Sequence, residues 1–361
     1  MDIQLKTGTL SFEDSDLLNE LIGFSSRINK KRGFLFVSKV LGKHIPCKPS
    51  SMKKIHKELA NKLKEKINSK NTVFIGFAET ATGIGNGVYE ESSIQNSFYI
   101  HTTRYHLSKE KILEFKEEHC HAPSHILYKH IDNEISNILE NVENIVLVDD
   151  EITTGKTLNN IVDVLKNNFP KVKNYYSVSI INWMKEFNHN INYIYLYHGE
   201  FSFKYNDYQE EQNIVSESQD DKYLDDIIPY NFGRFGIKNL NIDYSKLIDY
   251  KSLINKKVLV LGTGEFMHQS YKLAEYLEKN NIDVYVQSTT RSPVNIDLDI
   301  KSKIQFKDNY GENIDNFIYN VIDKEYDLII ICYETVITPK EHNLKEILAK
   351  KFKIQELFFS N

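Results

Sequence analysis

The segment Ile145–Thr157 reads IVLVDDEITTGKT. An apolar run of the kind that forms a buried parallel strand ends in two carboxylates, and a Thr/Gly loop then opens an amphipathic helix. Backbone N–H groups of residues 152–157, at the helix N-terminus, can cradle a dianionic phosphate. The hydroxyls of Thr153, Thr154 and Thr157 add donors around Lys156, and Gly155 lets the backbone come close. Asp149 and Asp150 stand just before this cradle, where they suit a ribose diol or a metal, because carboxylates aimed at a phosphate would repel it. The plainer reading is a solvated strand end with the Asp pair capping the next helix. Strand, acid pair, hydroxyls, glycine and helix coincide, which favours the cradle. A Walker A loop is excluded: one Gly precedes Lys156 and the GxxxxG span is missing.

A second anion site is expected upstream. Val73–Gly87 (VFIGFAETATGIGNG) runs from a strand into Ala78, Glu79, Thr80, Ala81, Thr82 and Gly83, small and hydroxyl residues that permit close backbone approach. By itself this is also what a tight strand-to-helix turn looks like. At the end of the next strand YIHTTR places Arg104, a residue suited to bidentate phosphate contact or to a surface ion pair. The stretch Glu117–His125 (EEHCHAPSH) invites a zinc reading, but His119 and His121 are two apart and cannot share a helix face. Arg27–Pro49 is locally basic, a patch for phosphate, a hood over an acceptor or a solvated surface.

Such loops need parallel strands to hold them. Strands are expected at Thr72–Gly76, Ser97–His101, Asn144–Val148, Tyr175–Ile181, Lys257–Leu261, Asp283–Gln287 and Asp327–Cys332. Helices are expected at Lys53–Ile67, Lys109–Glu118, Thr157–Phe169 and Gln269–Lys279. The alternation is that of an α/β protein. The 361 residues suffice for two domains, divided at 1–205 and 249–361, with an acidic insertion and connector over 206–248. A net charge of -5 argues against a nucleic-acid-binding module. Cys47, Cys120 and Cys332 lie too far apart for a disulfide framework. The start lacks a signal-peptide pattern, and no apolar run reaches the ~18 residues of a membrane span, so a cytoplasmic protein is expected.

The second half contains a partial echo of the first. Gly76-Phe-Ala-Glu79 is followed by Thr102-Thr-Arg104, with 23 residues from Glu79 to Thr102. Gly262-Thr-Gly-Glu265 is followed by Thr289-Thr-Arg291, with 24 from Glu265 to Thr289. A degenerate copy of the first domain is the expectation, with Gly264, Glu265 and Arg291 as candidate ligand contacts. A chance repeat of TTR is the alternative. GTGE after a strand does not complete a GxGxxG fingerprint, which argues against a nicotinamide cofactor.

The motif VLVDDEITTGKT resembles the PRPP (5-phosphoribosyl 1-diphosphate) motif of type I phosphoribosyltransferases. With GFAETATGIG, TTR, EEHCHAPSH, GTGEF and TTRSP, the chain resembles over nearly its whole length the orotate phosphoribosyltransferase-like proteins fused to a TRSP domain, found in operons associated with tellurite resistance. The resemblance implies a parallel sheet flanked by helices and a phosphoribosyltransferase acting on PRPP with Mg²⁺ to form, or with diphosphate to cleave, a bond in a nucleotide-like metabolite. It implies that Asp149 and Asp150 hold the ribose and Mg²⁺, that 153–157 hold the 5-phosphate, and that 78–83 with Arg104 hold diphosphate. A lid between the two loops would carry Glu118, His119 and His121 as acid/base or anion contacts. Thr153 stands where purine enzymes place an Asp, so no general base is carried into the loop. Relatives of this type supply the expectation of a homodimer. The rival reading is a PRPP- or nucleotide-sensing regulator that keeps the cradle without turnover.

Overall fold

The computed structural model describes residues 1–27, 32–68, 70–116, 124–130, 132–208 and 223–359. The chain opens with β1 (Asp2–Leu5), β2 (Gly8–Phe12), α1 (Asp16–Leu21), and the antiparallel pair β3 (Ile22–Ser26) and β4 (Phe34–Ser38). Helix α2 (Pro49–Lys64) leads to β5 (Thr72–Gly76), α3 (Ala81–Ser92), β6 (Ser97–His101), β7 (Lys111–Lys116) and β8 (Ser124–Tyr128). Then come α4 (Asn133–Glu140), β9 (Asn144–Val148), β10 (Glu151–Ile152), α5 (Lys156–Asn168), β11 (Asn174–Asn182), β12 (Ile191–His198) and β13 (Phe201–Tyr205). After α6 (Tyr244–Leu247) follow β14 (Lys257–Gly262), α7 (His268–Lys279), β15 (Asp283–Ser288), β16 (Lys303–Lys307) and β17 (Asp315–Tyr319). The last elements are β18 (Leu328–Tyr333), α8 (Leu344–Leu348) and β19 (Ile354–Phe358).

One unit, formed by Lys53–Glu200 and Asn231–Asn241, is built on a parallel sheet in the order β10-β11-β9-β5-β6, with β12 also paired to β11. Strands β5, β6 and β9 are buried on both faces, as apolar runs such as NIVLV require. In α5 the residues Leu158, Ile161, Val162 and Leu165 form the buried stripe, and each such side chain stabilises the unit by roughly 1.5–3 kcal/mol.

The other unit is Met1–Met52, Phe201–Tyr230 and Ile242–Asn361. It contains the parallel sheet β15-β14-β18-β19 and the antiparallel sheet β1-β2-β13. These units do not follow the linear division expected from composition. Residues 201–205 pair with 8–12, and Leu35 and Val37 of β4 pack on Val294, Ile300, Phe317 and Tyr319. Pairings so remote in sequence leave no local trace.

Most expected strands and helices form within a few residues of their predicted limits. The exception is Lys109–Glu118, expected as a helix. Its described part is strand β7, with Leu113 and Phe115 buried and Lys111 and Glu114 exposed, and it pairs antiparallel with β8. Cross-strand pairing and two-residue alternation outweigh the helix propensity of Lys, Leu and Glu.

Candidate active site

Strand β5 is the centre of the first sheet's connectivity. The chain leaves it to β6 on one side and returns as β9 on the other, so a crevice is expected beyond the carboxyl ends of β5 and β9. Into it run the two loops singled out by sequence, residues 77–80 and 149–155. Gly76 and Val148 are register partners at the two strand ends.

After β9, Asp149 and Asp150 are half-buried, and the Asp149 carboxylate accepts the Asp150 N–H at 2.9 Å. The short β10 then pairs with β11 and fixes the loop's departure. Gly155 has φ 70° and precedes the first turn of α5, with no side-chain cap on that helix. The left-handed conformation, together with Met184 only 2.5 Å from where a Cβ would stand, leaves glycine as the fitting residue. The turn presents the amides at the start of α5, the positive end of the helix dipole. Thr154 and Lys156 are exposed, Thr153 and Thr157 partly so.

After β5, Gly76 lies where a side chain would meet the Tyr99 hydroxyl at 2.5 Å and the Ala81 carbonyl at 3.0 Å, so helix and strand close up tightly. The Ala78–Glu79 peptide is cis. Glu79 and Thr80 are partly exposed, whereas Ala81, Thr82 and Gly83 are buried in the first turn of α3. Of the six residues expected on this loop, those three serve packing more than contact.

The TTR segment braces this loop. Thr102 Oγ1 accepts the Ala78 N–H at 2.8 Å and lies 2.8 Å from His125 Nδ1. His125 stacks on Phe115 with ring centroids 4.7 Å apart. The Arg104 guanidinium is buried and donates to the Ala78 carbonyl at 3.0 Å. It sets the loop's backbone from behind.

One residue was given no role by the sequence: His125 lay in a segment examined for zinc, and its partner Thr102 follows β6, 23 residues away. The glycine-flanked Arg234 suggested a contact to an anion or the end of a turn. Arg234, 2% exposed, donates from Nε to Thr103 Oγ1 at 3.2 Å and adds a second guanidinium beside the TTR segment. Its segment joins the sheet edge through the Tyr99–Ile237 bridge, a pairing the NFGRFG pattern only hints at. Glu118, His119 and His121 lie outside the described residues. Gly264, Glu265 and Arg291 belong to the other unit.

Other chemistry finds less support. Burial pushes the Cys47 and Cys332 thiols up to about 12, so neither is a thiolate at neutral pH. Among the described residues no group of three or more His, Cys, Asp or Glu gathers as a metal site, and no helix is long and apolar enough to cross a membrane.

Residues 21–195 match the family model described as phosphoribosyl transferase, and residues 232–350 match the TRSP domain that lies C-terminal to it. No curated protein matches the chain. Similar solved structures include adenine phosphoribosyltransferase from Rhodothermus marinus, at 14% identity and TM-score 0.36, covering 51% of this chain and 99% of that one. Another is the Trypanosoma brucei adenine phosphoribosyl transferase in complex with AMP, pyrophosphate and ribose-5-phosphate, at 14% identity and TM-score 0.33, covering 47% and 69%. A Staphylococcus aureus hypoxanthine phosphoribosyltransferase is similar at 16% identity and TM-score 0.28, covering 43% and 77%.

Proposed function

This chain belongs to the phosphoribosyltransferases that carry a TRSP domain, and from that premise we propose that it transfers the phosphoribosyl group of PRPP to a nitrogen of a small acceptor, releasing diphosphate, or runs the reverse cleavage. The observation that carries the reading is the pair Asp149 and Asp150, set at the end of β9 immediately before the left-handed Gly155 turn and the start of α5.

In this reading the two carboxylates accept hydrogen bonds from the ribose 2- and 3-hydroxyls. The amides and hydroxyls of 153–157 hold the 5-phosphate. The amides of Glu79 and Thr80 face the leaving diphosphate, with Arg104 and Thr102 fixing the Ala78 backbone just before them. As the C1–N bond forms, the C1–O bond to diphosphate breaks and the electron pair leaves on that oxygen. The acceptor nitrogen gives up its proton to solvent. Placement of the reactants and neutralisation of the leaving charge account for most of the acceleration.

Two adjacent, half-buried carboxylates, with no cluster of three ligating side chains among the described residues, suit a hydrated Mg²⁺ shared with substrate oxygens better than an all-protein cage. Mg²⁺ bound there would supply charge neutralisation for the diphosphate. A homodimer and a cytoplasmic location belong to the same proposal.

The test is diphosphate release from PRPP with Mg²⁺ across a panel of nucleobases and small amines. At least one acceptor should give release that disappears in Asp149→Asn/Asp150→Asn. Release from none of them, in either direction, by a protein that binds PRPP would replace the enzyme with a sensor.

A further inference from the structure

The second parallel sheet, β15-β14-β18-β19, has the strand order of β6-β5-β9-β11 in the first. That order is common among α/β folds. The detail at the strand ends is not. Thr102 N–H donates to the Gly76 carbonyl at 3.0 Å, and Thr289 N–H to that of Gly262 at 2.9 Å. Ala78 N–H donates to Thr102 Oγ1 at 2.8 Å, and Gly264 N–H to Thr289 Oγ1 at 2.8 Å. Thr103 exchanges backbone bonds with Ile126 of β8, and Thr290 with Phe317 of β17. Leu107 N–H donates to the Tyr128 hydroxyl at 2.8 Å, and Val294 N–H to the Tyr319 hydroxyl at 2.8 Å. The second unit therefore repeats the scaffold of the first, down to the bonds that shape its anion loop.

The differences define what the repeat does. After β18 the sequence is Glu334-Thr335-Val336-Ile337, with no glycine turn or helix start in the place of 153–157. The 5-phosphate cradle, and with it transfer chemistry, is missing. The anion-loop side is kept and its charges are rearranged. The Gly264 carbonyl, counterpart of that of Ala78, accepts from Lys43 Nζ at 3.2 Å. Arg291 turns instead toward Glu312, with 3.8 Å between charged atoms. By strand register Glu334 stands where the first unit has Asp150, and it accepts the Tyr310 hydroxyl at 2.5 Å.

Lys43, Glu265, Arg291, Glu312 and Glu334 are each no more than 6% exposed. A hydrophobic core gains nothing from so many buried charges, since each costs several kcal/mol of desolvation. Glu265, Arg291 and Glu334 lie just past the carboxyl ends of β14, β15 and β18, where the strand order reverses and α/β folds bind ligands, and Lys43 and Glu312 join them through Gly264 and Arg291. Beside Lys43, burial first, with the charges of Lys43 and Arg27 adding to it, holds the His44 imidazole down at about 3.

We propose that the unit containing the TRSP domain holds a second small-molecule site, for a sugar phosphate whose anionic end faces Lys43 and Arg291 and whose hydroxyls face Glu265 and Glu334. It binds its ligand without turnover, because the second phosphate cradle is missing. The preserved anion loop places the phosphate at the anomeric end of the sugar, which makes ribose 1-phosphate the probe.

The experiment titrates ribose 1-phosphate into the full chain carrying Asp149→Asn/Asp150→Asn and follows hydrogen exchange. Expected are saturable binding in this background and slowed exchange of the amides of residues 263–267 and 334–336. Arg291→Gln or Glu334→Gln should weaken binding at least tenfold. Unchanged exchange at 263–267 and 334–336 would overturn the site without any buried charge being mutated. Binding indifferent to both substitutions would overturn the assigned contacts. A failure of the first site to bind PRPP leaves these readouts unaffected.

Discussion

At Gly155 the backbone takes φ 70° with Met184 packed where a side chain would begin. Gly155→Ala should cost about 1–3 kcal/mol from left-handed strain and overpacking. It should also weaken PRPP binding by more than its loss of stability explains, because the displaced turn carries the phosphate donors. Denaturant titration alongside PRPP titration checks both. This much was legible in DDEITTGKT, where strand, acids, glycine and helix start are consecutive. Thr102 was legible as part of the TTR segment, and it acts through a bond to an amide 24 residues away and a His 23 residues away. Arg104 was read as a phosphate contact, and in the fold it braces the Ala78 carbonyl. Local sequence reports a residue's chemistry and leaves its partner open.

The strand-end turn that follows β6 and β15 is the element used twice. Thr102→Val and Thr289→Val each remove the acceptor of a buried amide, Ala78 in one case and Gly264 in the other. Each should cost about 1–3 kcal/mol, measured by urea unfolding of the full chain. A large cost in one and none in the other would deny that the turns are equivalent. The apolar strands TVFIG, SFYIH and NIVLV announced themselves because burial on both faces demands continuous apolar runs. Strand β7 did not, since KILEFK satisfies a helical pattern as well as a two-residue one, and only β8 decides between them.

Across the whole molecule the chain order and the fold disagree. Leu35 and Val37 are buried against residues 294–319, so the fragment 1–248 would leave them uncovered. That fragment should aggregate on expression, and a monodisperse product with a cooperative melt would contradict the division into units. The division was illegible because β2 and β13 meet across nearly 200 residues. Stability should also fall with acid. His44 is held at about 3 in the fold against 6.5 when unfolded, so below 6.5 the unfolded chain takes up a proton that the native state refuses. Its contribution is present above pH 6.5 and is lost as pH falls toward 3, amounting to about 2 kcal/mol between pH 7 and pH 5. His44→Gln should flatten that part of the stability–pH curve.

The central claim is that Asp149 and Asp150, with the turn at Gly155, hold the ribose 5-phosphate part of PRPP. Calorimetric titration of PRPP with Mg²⁺ into the wild-type chain and into Asp149→Asn/Asp150→Asn tests it most directly. Replacing two charged acceptors by neutral amides weakens each bond and removes the charge that would attract Mg²⁺, so affinity should drop at least about 10-fold while the melting profile stays cooperative. Wild-type affinity retained by the double variant, or no binding by the folded wild type, would contradict it.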